Sequence, residues 1–258
     1  MNKAWLISAI AFTAAAMVAD AAFAAAQCAK QSPAHTVALL ELYTSEGCDS
    51  CPPADQWLNR LGQADASDSL VPLALHVDYW DRLGWKDRFA SPRYAERQGD
   101  LARLNRSRAV YTPGVFMNLE ELRVWRSASG FRDAVRAINA RPALADIRIE
   151  LASPSPAQLA IKAQFKIRPG AARQPQAYVA VYENGLSTDV KAGENRGVTL
   201  RHDYVVREWI GPLDPAGGLE RTVPIPRDWN PKALGVAAFV QDSGGVLQAT
   251  ALPLCAKN

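Results

Sequence analysis

The sequence has few residues of the types that bind metal ions, and its charges are nearly balanced. Its 258 residues include only three histidines, three methionines and four cysteines. The 29 lysines and arginines almost match the 26 aspartates and glutamates, so the formal net charge is only +3. A charge this small implies neither a nucleic acid nor an anionic membrane as a partner. The scarcity of histidine and methionine leaves few side chains to complete a metal site.

Long hydrophobic runs are missing outside the N-terminal segment. That segment has the form of an export signal, because Lys3 precedes the apolar stretch 5–18 and small residues surround Ala24. The stretch is too short to span a membrane comfortably, and no later stretch approaches the required length. We therefore expect residues 1–26 to be cleaved and the protein to be exported, periplasmic or extracellular. Lipidation at Cys28 is the competing interpretation, although the residues before it do not fit a lipidation signal.

All four cysteines follow the expected export signal, so they lie where disulfides can form and persist. Four cysteines allow three pairings. Cys48 and Cys51 are close enough to bond most naturally with each other, which leaves Cys28 to pair with Cys255. This second bridge would join the two ends of the mature chain, and we expect its role to be structural.

The pair Cys48 and Cys51 lies between a predicted strand, 37–44, and a predicted helix that begins near Pro52. Two thiols three positions apart at such a turn can form a disulfide, and the N–H groups of a helix start favour a thiolate. This spacing suggests thiol-disulfide exchange. Half of a zinc site and an inert surface bridge are the alternatives. The chain lacks the second ligand pair that a zinc site would need.

Strand-like and helix-like stretches alternate as far as about Arg141, which predicts an α/β domain. The apolar runs 37–44 and 71–77 predict two parallel strands joined by a helix. Ser91 followed by Pro92 predicts the start of a further helix. A hairpin is then expected from 115–118 and 122–125, although its turn lacks the usual glycine.

Seven short alternating segments with Pro/Gly turns follow residue 142 and predict an all-β sandwich-like domain. The expected fold class is thus an α/β domain followed by an all-β sandwich-like domain. Their expected ranges are 27–142 and 143–258. In the first range, the order of strand, Cys-x-x-Cys, helix, strand, helix, Thr-Pro, hairpin and helix is that of a thioredoxin-like fold.

Several motifs along the chain form a further pattern. They are the segment from Leu42 to Asp55, His76-Val77-Asp78-Tyr79-Trp80-Asp81, Leu83-Gly84-Trp85-Lys86-Asp87, Tyr111-Thr112-Pro113, the segment from Gly193 to Leu200, and Val205-Val206-Arg207. With these motifs the chain resembles, over nearly all of its mature length, the secreted thioredoxin-like family classed as a domain of unknown function, DUF1223. The resemblance implies a fold and a compartment, but no settled activity.

The thioredoxin-like resemblance implies different roles for the two close cysteines. Cys48 would be the more exposed nucleophile, and Cys51 would resolve the mixed disulfide. Prolines 52 and 53 disfavour helical geometry at Cys51, so the helix is expected to begin at Pro52 or Pro53. Cys48 would then lie further from the helix N-terminus than in a thioredoxin.

Pro113 matches the proline that is cis in thioredoxin-like folds and packs opposite the two sulfurs. The backbone at Thr112 would then be free to pair with an extended substrate. Gly114 would leave the approach open, where the resemblance leads us to expect a larger polar residue.

Glu41 stands among leucines in a strand that should be covered on both faces, where a carboxylate is costly unless it is paired or protonated. One interpretation makes it a proton acceptor for Cys51. The other makes it a structural glutamate paired with a cation.

His76, Trp80 and Trp85 lie at or after the end of the second predicted strand, where loops gather near a site. His76 could tune a thiolate or bind a metal, or it could be a hydrogen-bonded structural residue. The two tryptophans could line a substrate groove, or they could pack under a loop.

The leading hypothesis is an exported thiol-disulfide oxidoreductase or redox-active module that uses no cofactor and acts on protein or small-molecule thiols and disulfides. A second hypothesis is Cu(I) handling, in which His76 or Glu41 completes a site with Cys48 and Cys51. In the third, the chain is a non-catalytic interaction module whose Cys48-Cys51 bridge stays closed.

Overall fold

The structure is a computed structural model that describes residues 28–61, 68–171 and 174–255. The expected export signal, residues 1–26, lies outside this described part. Among the described residues, no helix is both long and apolar enough to cross a membrane.

The described residues form three α-helices and fourteen strands. The helices are α1 (Pro52–Leu61), α2 (Pro92–Leu104) and α3 (Ala128–Asn139). The strands are β1 (Cys28–Gln31), β2 (Ala38–Thr44), β3 (Leu70–His76), β4 (Gly114–Met117), β5 (Glu120–Glu121), β6 (Ala145–Ser155), β7 (Gln158–Ile167), β8 (Gln176–Glu183), β9 (Leu186–Asp189), β10 (Thr199–His202), β11 (Val205–Leu213), β12 (Leu219–Pro224), β13 (Leu234–Asp242) and β14 (Gly245–Pro253).

The largest sheet joins strands from both ends of the chain. Its eight strands follow the order β14-β13-β8-β11-β3-β2-β4-β5. The expected fold class, an α/β thioredoxin-like domain followed by an all-β sandwich-like domain, is therefore wrong. The described chain is mostly β-strand, and the strands predicted for the two domains share this one sheet.

The reason for the error lies at the edge of β3. An unpaired strand edge presents a row of free N–H and C=O groups that another strand can satisfy. β11 fills this position in parallel, with Val205 opposite Ala74, and the Ala74 N–H donates to the Tyr204 carbonyl at 2.8 Å. Hydrophobic periodicity identifies a strand but not the partner at its edge, so the sequence pattern did not reveal this pairing.

The local elements around the cysteines match the sequence prediction. β2 and β3 are parallel, and their register places Thr44 opposite His76. α1 connects them and begins at Pro52, while α2 begins at Pro92 after the N-cap residue Ser91. The parallel register brings the ends of β2 and β3 together at one edge of the sheet.

The predicted hairpin exists but is shorter than expected, because β4 pairs with a β5 of only two residues. Asn118 and Leu119 form its turn with φ angles of 48° and 72°. Such angles normally favour glycine, although asparagine tolerates them better than most residues. The turn is held to β2, because the Leu39 N–H donates to Asn118 Oδ1 at 2.7 Å and the Asn118 N–H donates to the Leu39 carbonyl at 2.9 Å.

Alternate residues of β2 point to opposite faces of the sheet. Leu39 and Tyr43 belong to a core cluster with Tyr94 and Leu101 of α2. Leu40 and Leu42 belong to another, which the following residues of α1 and α3 complete: Ala54, Leu58, Phe131 and Ile138. The helices therefore cover both faces of the sheet near the cysteine pair.

A four-stranded sheet of order β1-β6-β7-β12 forms the third core with residues of the large sheet. Ile147, Ile149 and Ile161 of the smaller sheet cluster with Val179 and Val236 of the larger one. This layer lies along the β8 and β13 half of the large sheet, away from the cysteine pair.

Both predicted cysteine pairs are bonded. Cys28, at the start of β1, is joined to Cys255, which follows β14, across a sequence separation of 227. Closing so long a loop removes much of the conformational freedom of the unfolded chain, which loop-entropy arithmetic values at about 5 kcal/mol.

We therefore expect the double variant Cys28→Ser/Cys255→Ser to lose up to about 5 kcal/mol of unfolding free energy, because its unfolded chain regains that freedom. Urea unfolding followed by tryptophan fluorescence measures the loss. Cys48→Ala/Cys51→Ala is the control, since its short loop predicts a smaller loss. Equal losses for the two double variants would contradict the loop-length explanation.

Candidate functional site

The Cys48-Cys51 disulfide lies in the turn between β2 and α1. Cys51 precedes the helix, and its carbonyl accepts hydrogen bonds from the N–H groups of Ala54 at 2.8 Å and Asp55 at 3.2 Å. Asp49 and Ser50 are exposed at the tip of the turn, and the Ser50 hydroxyl lies 3.3 Å from Cys48 Sγ. Both cysteines are fully buried in this disulfide state, so the greater exposure expected for Cys48 is not seen.

A loop from the C-terminal half covers this turn. We call residues 193–197 the cap loop. Its buried Asn195 donates from Nδ2 to the carbonyls of Glu46 and Cys48, both at 2.9 Å. Glu194 Oε2 accepts the Asp49 N–H at 3.1 Å. The cap loop is therefore bonded to the backbone on both sides of Cys48.

Glycine allows the cap loop to approach Trp85. Gly193 has a φ of +71°, and a Cβ at this position would lie 3.1 Å from the Trp85 Cβ. On its other side, Trp85 donates from Nε1 to Glu46 Oε2 at 2.9 Å. Trp85 thus packs under a loop, as one of the two sequence interpretations expected.

Five ionisable residues lie buried at this end of the sheet. We call them the buried cluster: Glu46, Asp55, His76, Asp87 and His202. Each is less than 5 % exposed, which is rare for charged residues unless they are paired. The site thus combines a disulfide between closely spaced cysteines with a buried group of acids and bases.

His76 and Asp87 form the closest pair of the cluster. His76 Nδ1 lies 2.6 Å from Asp87 Oδ2, and the Asp87 carboxylate also accepts the N–H groups of Glu46 and Phe89, both at 2.9 Å. Burial alone would lower the pKa of His76, but the Asp87 carboxylate outweighs this and the pKa is raised. Burial alone would raise the pKa of Asp87, but its contacts with His76 and these N–H groups lower it.

His202 lies between two carboxyl groups. Its Nε2 is 3.4 Å from Glu46 Oε1, and its Nδ1 is 3.9 Å from Asp55 Oδ2. Neither contact has hydrogen-bond geometry, and neither ring nitrogen has a hydrogen-bond partner among the described residues. The His202 ring also meets the His76 ring edge-on, with centroids 4.9 Å apart.

The two carboxyl groups beside His202 differ in environment. Burial raises the pKa of Glu46, but interactions with His202 and the Trp85 indole N–H bring it below its ordinary value. Burial raises the pKa of Asp55, and the nearby His202 and His76 oppose this only in part. Asp55 is therefore the acid of the cluster whose environment most favours the protonated form.

Glu41 lies in a different group, together with Arg97 of α2. Arg97 donates from Nε to Oε2 at 2.6 Å and from Nη2 to Oε1 at 2.8 Å, while the Tyr43 hydroxyl donates to Oε2 at 2.8 Å. This paired state fits the structural interpretation of Glu41. Because Leu40 and Leu42 face the core that contains α1, the intervening Glu41 faces the other side of the sheet.

The Thr112-Pro113 peptide bond is cis, as the resemblance implied. Trp80 connects this segment to the cysteine turn, because its Nε1 donates to Thr112 Oγ1 at 2.8 Å. A Cβ on Gly47, next to Cys48, would lie 3.1 Å from the Trp80 Cβ. Trp80 therefore fills the space between the two segments.

Gly114 does not leave an open approach. It is buried, and a Cβ there would lie 2.9 Å from Gln98 Nε2. Gln98 donates from that atom to the Tyr111 carbonyl at 2.7 Å. Packing against α2 is thus a physical reason for glycine at this position.

No group of three or more His, Cys, Asp or Glu residues in the described chain is arranged to hold a metal ion. Sequence reasoning did not assign roles to four members of the buried cluster, and it left open whether the loop from Gly193 to His202 covers the site or merely connects strands. Glu46 and Asp55 lie within a few residues of the cysteines, and this proximity was an available signal. Asn195 is 147 residues from Cys48, so spacing gave no signal for it.

The shifts at His76 and Asp87 predict a pH dependence. Because the Asp87 pKa is lowered on folding, its contribution to stability is present above about pH 3.9 and is lost as the pH falls through the folded value. Because the His76 pKa is raised, its contribution is present below about pH 6.5 and is lost as the pH rises through the folded value.

NMR titration should therefore place the pKa of His76 above about 6.5 in the native protein, and Asp87→Asn should lower it because the neighbouring negative charge is gone. Asp78→Asn, which changes a half-buried acid two residues after His76, is the control and should shift it less. An unchanged His76 pKa in Asp87→Asn would contradict this account of the pair.

Comparison with known proteins places these features in a family. The solved structure of protein AGR_C_4864 from Agrobacterium tumefaciens is similar, with a TM-score of 0.61 and 25% identity over 88% of this chain and 98% of that chain. HBP35 of Porphyromonas gingivalis shares the fold, with a TM-score of 0.62 and 13% identity over 86% of this chain and 76% of that chain. No curated protein matches. A family model described as "Protein of unknown function (DUF1223)" matches residues 39–241, most of the chain, and the chain therefore belongs to this family.

Proposed function

We propose that this chain is an exported thiol-disulfide oxidoreductase or redox-active module, and that Cys48 and Cys51 are its reactive pair. The main support is a closely spaced disulfide at a strand-helix turn, within a few residues of the buried acids Glu46 and Asp55. Thiol-disulfide exchange needs groups that accept and supply protons as the sulfurs change state. The form of the N-terminal segment and the presence of two disulfides support export.

The substrates in this proposal are protein or small-molecule dithiols and disulfides. A substrate thiolate attacks Cys48 Sγ, so that a substrate-Cys48 disulfide forms and the Cys48-Cys51 bond breaks. The electron pair of the broken bond leaves with Cys51. The second substrate thiolate then attacks the substrate sulfur of the mixed disulfide and releases Cys48 as a thiolate. The substrate dithiol is oxidised, the cysteine pair is reduced, and the reverse sequence reduces a substrate disulfide.

The position of Cys51 suits it to be the leaving sulfur. It directly precedes α1, and the dipole of that helix favours a negative charge at its N-terminus. Cys48 Sγ instead lies beside the hydroxyl of the exposed Ser50. Attack from the tip of the turn would therefore reach Cys48 and expel Cys51.

Access to the disulfide requires a change in the cap loop. Both cysteines are fully buried, and Asn195 and Glu194 bond to the turn around Cys48. The cap loop residues other than Asn195 are exposed, so few buried contacts oppose its opening. In the proposed reaction the loop moves away before a substrate thiol attacks.

The same burial favours one alternative function. A disulfide that stays covered by the cap loop would never exchange, and the chain would then act as a non-catalytic interaction module. Trapping of mixed disulfides by Cys51→Ala, together with activity assays of the wild type, separates the two functions.

Cys51→Ala should accumulate mixed disulfides at Cys48, because no second thiol is present to release the bound substrate. Cys48→Ala should trap little, and the wild type should be active in insulin-reduction or oxidative-refolding assays. Mass spectrometry identifies the trapped species. Cys28→Ser/Cys255→Ser is the control and should retain activity at temperatures where it stays folded.

Asn195→Ala should be reduced by dithiothreitol about tenfold faster than the wild type, since the loss of two hydrogen bonds weakens the closed cap loop.

The oxidoreductase proposal would be refuted if the wild type had no activity in the insulin-reduction and oxidative-refolding assays and Cys51→Ala trapped no substrate. That result would favour the closed-bridge alternative.

A further inference from the structure

The buried cluster cannot be neutral if all its acids are ionised. It contains three carboxyl groups, Glu46, Asp55 and Asp87, and two imidazoles, His76 and His202. Even with both imidazoles protonated, the carboxylates would outnumber them by one. An uncompensated charge is costly away from water, so one carboxyl group in the cluster is best protonated.

Hydrogen bonds indicate which carboxyl group holds this proton. Asp87 accepts from two backbone N–H groups and contacts His76, and Glu46 accepts from the Trp85 indole. These donors stabilise the ionised forms of Asp87 and Glu46. Among the described residues, Asp55 Oδ2 and Glu46 Oε1 both lack a hydrogen-bond partner, but the other oxygen of Glu46 accepts the indole N–H. The extra proton therefore belongs on Asp55, which agrees with the direction of its pKa shift.

Asp55 lies in the first turn of α1, directly after Cys51, and is buried as Cys51 is. Its backbone N–H bonds to the Cys51 carbonyl, so the two residues are one helical turn apart. Residues four positions apart are neighbours on a helix surface. Cys51, Asp55 and Leu58 are all buried, and they follow the spacing of a single helix face. Asp55 is thus the acid of the buried cluster that lies on α1, the helix directly after Cys51.

Four groups on other segments influence the pKa of the Asp55 carboxyl group. They are Thr44 of β2, His76 of β3, Asp87 in the segment after β3, and His202 of β10. His202 Nδ1 lies 3.9 Å from Asp55 Oδ2, and its other ring nitrogen lies 3.4 Å from Glu46 Oε1. A negative charge formed on Asp55 would therefore be offset in part by the neighbouring imidazoles, with one carboxylate left in excess.

A crevice gives this group a path to solvent. It has a volume of about 260 Å³ and is lined by Asp55, His202 and residues from the start of α1 and from β10. Gln56 and Arg201 are among these residues and are exposed. The space is large enough for several waters, and the polar groups of Asp55, Gln56 and His202 in its otherwise largely apolar wall would hold them. Protons can then exchange between Asp55 and bulk water without passing the cap loop.

We propose that Asp55 donates a proton to the Cys51 sulfur when the Cys48-Cys51 disulfide is reduced, and accepts it back when the disulfide re-forms. The inference rests on the proposed function. As the disulfide opens, the Cys51 thiolate takes the Asp55 proton directly or through one water. Asp55 becomes a carboxylate whose charge His202 offsets only in part, so water in the crevice then restores its proton.

The test is the pH dependence of disulfide reduction by dithiothreitol, with each rate divided by the concentration of dithiothreitol thiolate. In the wild type the corrected rate should fall as the pH rises through the Asp55 pKa, because only protonated Asp55 can supply the proton. Asp55→Asn should remove this inflection. At pH values below the wild-type inflection, its corrected rate should be at least about tenfold lower than that of the wild type. Asp55→Glu should keep an inflection.

Asp49→Asn is the matched control, because Asp49 is an exposed acid in the same turn. Its profile should keep the wild-type inflection. Carboxyl NMR of oxidised wild-type protein provides a measurement without substitution, and Asp55 should titrate above about 3.9. An inflection that persists in Asp55→Asn, or an Asp55 that titrates at or below its ordinary value, would overturn the inference.

These outcomes are separate from failure of the proposed function. Dithiothreitol reduces the disulfide chemically whether or not the protein acts on other thiols. If the wild type is inactive in both protein assays but Asp55→Asn removes the inflection, the oxidoreductase proposal fails and the role of Asp55 stands. If the wild type is active and Asp55→Asn keeps the inflection, only the role of Asp55 fails.

Discussion

The parallel pairing of β11 with β3 is the interaction on which the candidate site depends. It places Val205 opposite Ala74 and brings the preceding hairpin of β9 and β10 against α1. Asn59 of α1 reinforces this position, since it donates to the Arg201 carbonyl and accepts from the Asp203 N–H, both at 2.9 Å. Without this pairing, His202 would not reach Glu46 and Asp55, and the cap loop would not cover the cysteine turn.

The resulting site balances two opposing physical demands. Burial lowers the effective dielectric around the acids and bases near the disulfide, which strengthens their mutual electrostatic interactions. Burial also blocks access to the disulfide and makes any unpaired charge costly. Access is restored when the cap loop opens, which few buried contacts oppose. The unpaired charge is limited because the carboxyl and imidazole groups nearly balance and Asp55 keeps one proton.

Residues that reasoning from the sequence selected have different places in this arrangement. Trp80 and Trp85 support the turn and the cap loop, and His76 is paired with Asp87. Glu41 was considered as a proton acceptor because an acid among leucines is unusual, but such an acid also suits an ion pair. Its partner, Arg97, lies on a helix far along the chain, so the pattern around Glu41 could not distinguish these roles.

By itself, the sequence determined the features that depend on neighbouring residues. These include the turn at Cys48 and Cys51, the helix starts at Pro52 and Pro92, and the parallel pair β2 and β3. Proline geometry, capping and hydrophobic periodicity act over a few residues and are readable locally. Only the tertiary structure decided the eight-stranded sheet, the burial of both cysteines, and the meeting of His202 with Asp55. Any strand edge offers the same backbone hydrogen bonds, so its partner is selected by packing of the whole chain rather than by local pattern.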